Sequence, residues 1–497
     1  MDPHSAKSAS SIHPETLETS EYSHAEEPQR NSSPIASMSE ELLILILDMV
    51  RDSFDLDDSG RRRKLPIVAS HVSRFWRSVA LENGLWWSDI VIIYPWKEEF
   101  LKLCLQRSKQ CLLNISILDH TIEDENGLLP TSKEYQCILD LLFPYLARCR
   151  VLTIRDEGRD IPSPFLEQFQ SVDLPCLEKF TFEGEATDYE RFFHQRELMA
   201  LFPSAPRLRD IRLLGVGIEH FIVPPCSPPV NPPPLTSLHL SRTMDGATRT
   251  PFSELKRTLE ACPLLDTLAI YGNVLGEWPG LHTSCNVPSL ETLYILSNML
   301  TVSELLLFLI APQLKELVIA PIVISDLGLL VSQSRTNPGL IQQRFPVLRS
   351  LTLAIGYRQA FDAVNSASIC FPHVDRLTLA NLYSTPFALH FTTQDSFSGF
   401  PIFPNLLYLA LTDVDETIIQ IIYDVQMFRA GHNLPLRTVY LDSASFEKAK
   451  IYLDLDGILS IEEGEGTLNL QFMEANIWEV QRRKLLHSEN KSIFVGV

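Results

Sequence analysis

The stretch Pro263-Leu264-Leu265-Asp266-Thr267-Leu268-Ala269-Ile270 sets the grammar of most of this chain. It reads proline, any residue, an aliphatic, two variable residues, then two apolar residues separated by one variable position. The same phrase begins at Pro175, Pro206, Pro288, Pro312, Pro346, Pro372 and Pro404. Versions one residue shorter occupy 234–240 and 435–441, and a degenerate copy without the proline sits at 151–154. Apolar residues two apart line one face of a strand, and proline stops a preceding helix, so each copy predicts a short strand after a break.

The first aliphatic of successive copies falls at Leu177, Leu208, Leu235, Leu265, Leu290, Leu314, Leu348, Val374, Leu406 and Leu436. Their spacing, about 24 to 34 residues, brackets and slightly exceeds the leucine-rich-repeat period. Two copies continue through the asparagine of that repeat, at Asn273 and Asn298, where an amide can satisfy backbone groups as the chain leaves the strand. Helix-like pieces at 191–201, 253–261 and 303–310 each end just before the next proline. A unit of helix, proline, strand and loop cannot bury its apolar face alone, but stacked copies can. The expected fold class is therefore α/β, a leucine-rich-repeat solenoid (horseshoe) over 149–442, preceded by a small all-α module. The proline-rich stretch 224–234 reads as a surface loop. Segments 444–455 and 472–486 look helical, and 443–497 is expected to hold a C-terminal cap and tail.

Nothing in the remaining composition calls for chemistry or for a membrane. The chain has 497 residues, too many for one ordinary core, and a formal net charge of −20. That sign repels phosphate backbones and anionic headgroups, so neither nucleic acid nor membrane is expected as a partner. The longest apolar runs, 42–47 and 305–310, are far below the ~20 residues that span a bilayer. Nine scattered cysteines without a Cys-x-x-Cys pair argue against a disulfide framework or zinc site and fit a reducing, cytoplasmic or nuclear compartment. There is no phosphate loop, metalloprotease helix or nucleophile elbow, so no catalytic residue, metal or cofactor is expected. His71 reads as helix surface or core. The run Arg61-Arg62-Arg63-Lys64 reads as a solvated loop, with a nuclear-import signal as the alternative.

Residues 1–34 are polar and acidic and are expected to be a disordered tail. The module at 35–92 opens at Ser39, a plausible N-cap. Leu42, Leu43, Ile46, Leu47 and Val50 follow at helical spacing. A charged loop to about Lys64 leads to a second helix expected from Pro66, carrying Val72, Phe75 and Trp76. Region 93–148 is expected to link or cap. Glu41-Leu42-Leu43, Ile46-Leu47, Val72-Ser73-Arg74-Phe75-Trp76 and Trp86-Trp87-Ser88-Asp89-Ile90 together resemble an F-box. Met38-Ser39 replaces the usual Leu-Pro, Ser73 the usual Cys, and the inter-helix loop is longer.

The resemblance implies an F-box/leucine-rich-repeat protein: the substrate-recognition subunit of a cullin–RING ubiquitin ligase, not an enzyme itself. Its implied partners are a Skp-type adaptor and, through the repeats, a protein target. Adaptor-binding residues would be Met38, Leu42, Leu43, Ile46, Leu47, Val72, Trp76, Trp86 and Trp87, with Trp76 open between core and anchor. The alternative is a ligase-independent interaction scaffold. In each strand the residue between the apolar pair, and the one before the pair, would line the concave face. Tyr294, Tyr408, Tyr440, Arg212 and Arg376 are the candidate target contacts there, aromatics and arginines being the usual anchors of interfaces.

Overall fold

The computed structural model describes residues 38–53, 59–93, 96–119, 132–156, 172–184, 205–214, 218, 234–242, 249–281, 283–296, 301–322, 324–337, 339–355, 360–380, 402–411, 416–441 and 460–463. The expectations for 1–34, 191–201, 224–233, Asn298, 444–455 and 472–486 lie outside these. The chain divides into two compact units, Met1–Val50 and Arg51–Val497.

In the first unit the described chain is the greater part of helix α1 (Glu40–Ser53). Ser39 starts it: its carbonyl accepts from Leu43 N–H at 3.1 Å and its hydroxyl from Leu42 N–H at 3.4 Å. Glu40 and Glu41 occupy the first turn, where they complement the helix dipole.

The second unit is mixed α/β. It opens with α2 (Ser59–Val72) and α3 (Arg74–Glu82), then a 3-10 turn (Gly84–Trp87). The second helix begins earlier than Pro66, which lies inside it. Arginine and lysine are good helix formers, and they carry the helix through the stretch read as loop. The break comes instead at Ser73. Its extended backbone ends α2, and its hydroxyl caps α3 by accepting from Trp76 N–H at 3.2 Å. Arg77 Nε donates to Ser70 O at 2.8 Å and ties the two helices together.

Then comes β1 (Asp89–Ile93), with α4 (Glu98–Arg107), β2 (Leu113–Asp119), α5 (Ser132–Leu142) and β3 (Cys149–Asp156) after it. β4 (Lys179–Gly184), β5 (Asp210–Leu214), β6 (Ser237–Arg242), α6 (Phe252–Ala261), β7 (Thr267–Gly272), β8 (Cys285–Asn286) and β9 (Thr292–Leu296) follow. Next are α7 (Thr301–Phe308), β10 (Leu309–Ile310), β11 (Glu316–Ile322), α8 (Ile324–Thr336) and α9 (Leu340–Arg344). The last are β12 (Ser350–Ile355), α10 (Ala360–Cys370), β13 (Arg376–Ala380), β14 (Tyr408–Leu411), α11 (Glu416–Gly431), β15 (Thr438–Leu441) and β16 (Ser460–Glu463).

One open 14-stranded sheet holds all of these strands in chain order except β8 and β10, which pair separately. Every pairing in it is parallel, and each phrase aligns with its neighbour. Leu268 stands opposite Leu238 and Leu293, and Ile270 opposite Leu240 and Ile295. The sheet starts earlier than the repeats read from the sequence, at Asp89. β1 and β2 carry the buried alternation (Ile90 and Ile92; Leu113, Ile115 and Ile117) without a leading proline.

The proline does more than stop a helix. In eight copies the N–H of the first aliphatic bonds to the carbonyl of the residue before the proline, as in Leu265 N to Cys262 O at 3.1 Å and Leu406 N to Phe403 O at 3.1 Å. Proline is thus the second residue of a tight turn, a position its fixed φ suits. The next step is equally regular. One carbonyl accepts from two consecutive N–H groups of the following repeat, as Glu291 O does from Lys315 N (2.8 Å) and Glu316 N (3.1 Å).

The apolar residues of each phrase are buried throughout: Leu265, Leu268 and Ile270 are typical. Burying a leucine side chain contributes about 2 kcal/mol. At the C-terminal end the core includes a charge. Arg429 of α11 is fully buried, and its guanidinium donates to the carbonyls of Leu434, Ile402, Phe403 and Leu406.

Candidate functional site

Two kinds of surface stand out, the helices before the sheet and the sheet face opposite the leucine core. On α1, Leu43 and Leu47 are buried, whereas Leu42, Leu45, Ile46, Met49 and Val50 are exposed at helical spacing. Leu42 is 54% exposed and Met49 67%, values that leave most of each side chain in water. Such a stripe on a helix has no counterpart in an ordinary surface of scattered single apolar residues.

In the second unit, Val68 and Val72 of α2 and Phe75 of α3 are exposed, as is Leu85, while Trp76 is half-buried. Trp86 and Trp87 are buried. Trp87 Nε1 donates to Ala80 O at 2.6 Å, and the Arg107 guanidinium lies 4.4 Å from its ring centroid. These two tryptophans belong to the interior of the second unit, and Leu43 and Leu47 of α1 are buried; Leu42, Ile46 and Val72 are the exposed members of the adaptor set and Met38 is half-buried. Leu45, Met49, Val68 and Phe75 are also exposed and lie outside the predicted adaptor set. The signal for α1 was available in the sequence as a second stripe at 42, 45, 46 and 49. His71 is on the helix surface.

Strand alternation sends three columns of side chains away from the leucine core. The middle column runs Thr181, Arg212, His239, Ala269, Tyr294, Val318, Thr352, Thr378, Ala410 and Tyr440, neighbours in register. The sequence predicts this column to be an open binding face, but most of it is buried. Ala269, Tyr271, Tyr294, Leu296, Val318, Ala320, Ala354 and Ala380 form an apolar cluster there. A parallel sheet commonly buries both faces, and alanines on adjoining strands let the tyrosines lie close over them. Tyr294 is 7% exposed, and burial, with Glu316 nearby, pushes its hydroxyl pKa up to about 12.

Toward β4–β6 the face turns polar. His239 is buried, with Nδ1 3.2 Å from the Tyr271 hydroxyl and Nε2 3.0 Å from the Ser237 hydroxyl. Burial, reinforced by Arg212, pulls its imidazole down to about 3, so it is neutral at pH 7. Arg212 is half-buried and pairs with Asp210, Nε to Oδ2 3.3 Å, and Lys179 reaches the same oxygen at 3.6 Å. At the other end Arg376 is exposed, its guanidinium 5.1 Å from the ring centroid of half-buried Tyr408; Tyr440 is also half-buried.

Oriented to satisfy its amide, Asn273 accepts from Arg249 Nε at 3.0 Å. Burial pushes the thiols of Cys149, Cys262 and Cys370 up to about 12, leaving them protonated. Among the described residues no group of three or more His, Cys, Asp or Glu side chains could hold a metal ion, and no helix is long and apolar enough to cross a membrane.

The second unit is thus a mixed α/β body built on one long parallel sheet, and α1 of the first unit carries an exposed apolar stripe of its own. No family model matches the chain, and no curated protein does either.

Proposed function

We propose that this chain is the substrate-recognition subunit of an F-box-type ubiquitin ligase, binding a Skp-type adaptor through residues 38–90 and a protein target through its repeats. The sheet is read as a leucine-rich-repeat solenoid of the horseshoe type. In support, each strand pairs only with the strands of adjacent phrases, always in parallel and in register. The single observation that carries the adaptor reading is the exposed stripe Leu42, Leu45, Ile46 and Met49. An apolar stripe of this kind fits a partner that buries it, since leaving it in water forgoes about 1.5–3 kcal/mol for each large side chain. In this reading the chain does no chemistry. It holds the target beside the ligase and raises the effective concentration of target lysines there.

The test is co-purification with a Skp-type adaptor, alongside a Leu42→Asp, Ile46→Asp variant. Both positions are exposed, so the variant is expected to keep its circular-dichroism spectrum. A stoichiometric complex with the wild type and none with the variant supports the receptor. No complex with the wild type overturns it and leaves a ligase-independent scaffold.

A further inference from the structure

Helix α3 has little of its own to hold it. It is nine residues long and buries only Val79 and Ala80, shorter than the ~12–15 residues below which a helix is marginal in water. It is set in place at its C-terminal end, where the 3-10 turn Gly84–Trp87 meets the turn that joins α4 to β2. Gly84 is buried there against backbone. A Cβ on it would lie 2.9 Å from Ser108 O, 3.1 Å from Cys111 Sγ and 3.3 Å from Arg107 O. The first of these distances is closer than a side chain tolerates, so the approach is one that glycine alone allows.

The opposing turn is pinned from two sides. Ser108 O already accepts from Cys111 N–H at 2.9 Å. Arg148, at the end of the 3-10 turn ahead of β3, donates to Cys111 O at 2.7 Å and to Ser108 Oγ at 3.2 Å. Lys109 stands in the left-handed region at φ 52°, uncommon for a residue with a Cβ. From there its Nζ donates to Glu82 O, the last carbonyl of α3, at 2.7 Å. A cation at that end also suits the helix dipole. The side chains carried by this seat are exposed and apolar: Phe75 on α3, Val72 just before its cap, and Leu85 next to Gly84.

We propose that Gly84 is a positioning residue for the adaptor surface: together with Lys109 of the α4–β2 turn, it fixes how α3 and Leu85 display their apolar side chains to the partner. It rests on the adaptor reading of residues 38–90 and adds that the surface depends on a turn well beyond them. The working boundary of the helical module then lies past residue 92, in the α4–β2 turn.

The experiment uses the full chain, with amide hydrogen exchange read alone and affinity for a Skp-type adaptor read by calorimetry. Gly84→Ala adds the one atom that the gap excludes. Lys109→Met removes the tie to Glu82 O without adding volume at the seat, and Lys109→Arg keeps a donor that can reach it. In Gly84→Ala, exchange across 76–87 should rise at least about tenfold while β9 keeps wild-type protection, and adaptor affinity should fall at least about fivefold. Lys109→Met should shift both in the same direction, by about threefold, and Lys109→Arg should restore both. Unchanged exchange at 76–87 in Gly84→Ala, or raised exchange with full adaptor affinity, would overturn the proposal. If Gly84→Ala also unprotects β9, the Lys109 pair decides: no recovery with arginine overturns it. Absence of adaptor binding by the wild type is a separate failure. It removes the adaptor reading and the proposal with it, whereas exchange at 76–87 still reports whether the seat holds α3.

Discussion

Arg429 offers the sharpest test of how the C-terminal part of the sheet is held. Its guanidinium is buried and donates from Nε to Leu434 O (3.1 Å), from Nη1 to Ile402 O (2.9 Å), and from Nη2 to Phe403 O (3.2 Å) and Leu406 O (3.1 Å). Burial lowers its pKa only to about 10, so it stays charged at neutral pH. Arg429→Met keeps most of the volume and removes every donor. Phe403 O still accepts from Leu406 N–H at 3.1 Å, so the loss falls on the carbonyls of Ile402, Leu406 and Leu434. At about 1–2 kcal/mol for each buried acceptor left unmade, the cost is about 3–6 kcal/mol. Relief from burying a cation returns part of it, leaving about 3 kcal/mol net. Arg429→Lys should be no milder, because an ammonium keeps the burial cost and cannot span carbonyls from both sides.

A repeat array need not unfold in one step, so the assay should be local. Amide hydrogen exchange within 402–411 should accelerate by about a hundredfold, while amides of β9 keep wild-type protection. Wild-type exchange at 402–411 in Arg429→Met would refute the reasoning, since the carbonyls would then have other partners.

Three further outcomes are expected. His239 has a folded pKa depressed from 6.5 to about 3, so its contribution to stability is complete above about pH 6.5 and is lost as pH falls toward 3. Urea unfolding across that window should show a component of at most ~1.4 kcal/mol per pH unit that His239→Gln removes; an unchanged pH profile would count against a buried neutral imidazole. Ser73→Ala, which deletes the α3 cap, should cost about 1 kcal/mol in thermal unfolding and leave exchange in β9 untouched. Leu293→Ala in the middle of the sheet should cost about 2–5 kcal/mol in urea unfolding, and a value under ~1 kcal/mol would mean that the column is not close-packed.

Much of the sheet was legible because its signal repeats. Pro263 to Ile270 and its sister phrases place break, core aliphatic and strand by spacing alone, though not the turn that the proline enters, and the observed registers follow that spacing. The first two strands were not legible as part of the same sheet. Ile90–Ile92 and Leu113–Ile117 alternate correctly but lack the proline that marks the others. Pro66 misled in the opposite direction, since a first-turn signal lay inside a helix already begun at Ser59. At the candidate sites, alternation correctly placed Tyr294 on the face away from the leucines. It could not report that the alanines and the second tyrosine around it, Tyr271, would close over that face. Burial there is a property of neighbours about 30 residues apart, which a single strand does not contain. The same limit applies to Trp87, whose hydrogen bond to Ala80 and contact with Arg107 identify it as interior only once three elements meet.

The strictly sequential strand order has a consequence for how the chain is made. As synthesis proceeds, each strand of the large sheet follows the one it must pair with, so the growing sheet offers a matching edge to the residues leaving the ribosome next. Among the described residues, no strand of the large sheet waits for a partner encoded far downstream. A stall between two phrases leaves finished turns behind it and one open parallel edge in front. That edge, unpaired until the next phrase arrives, is where a chaperone or a second nascent chain would find the molecule.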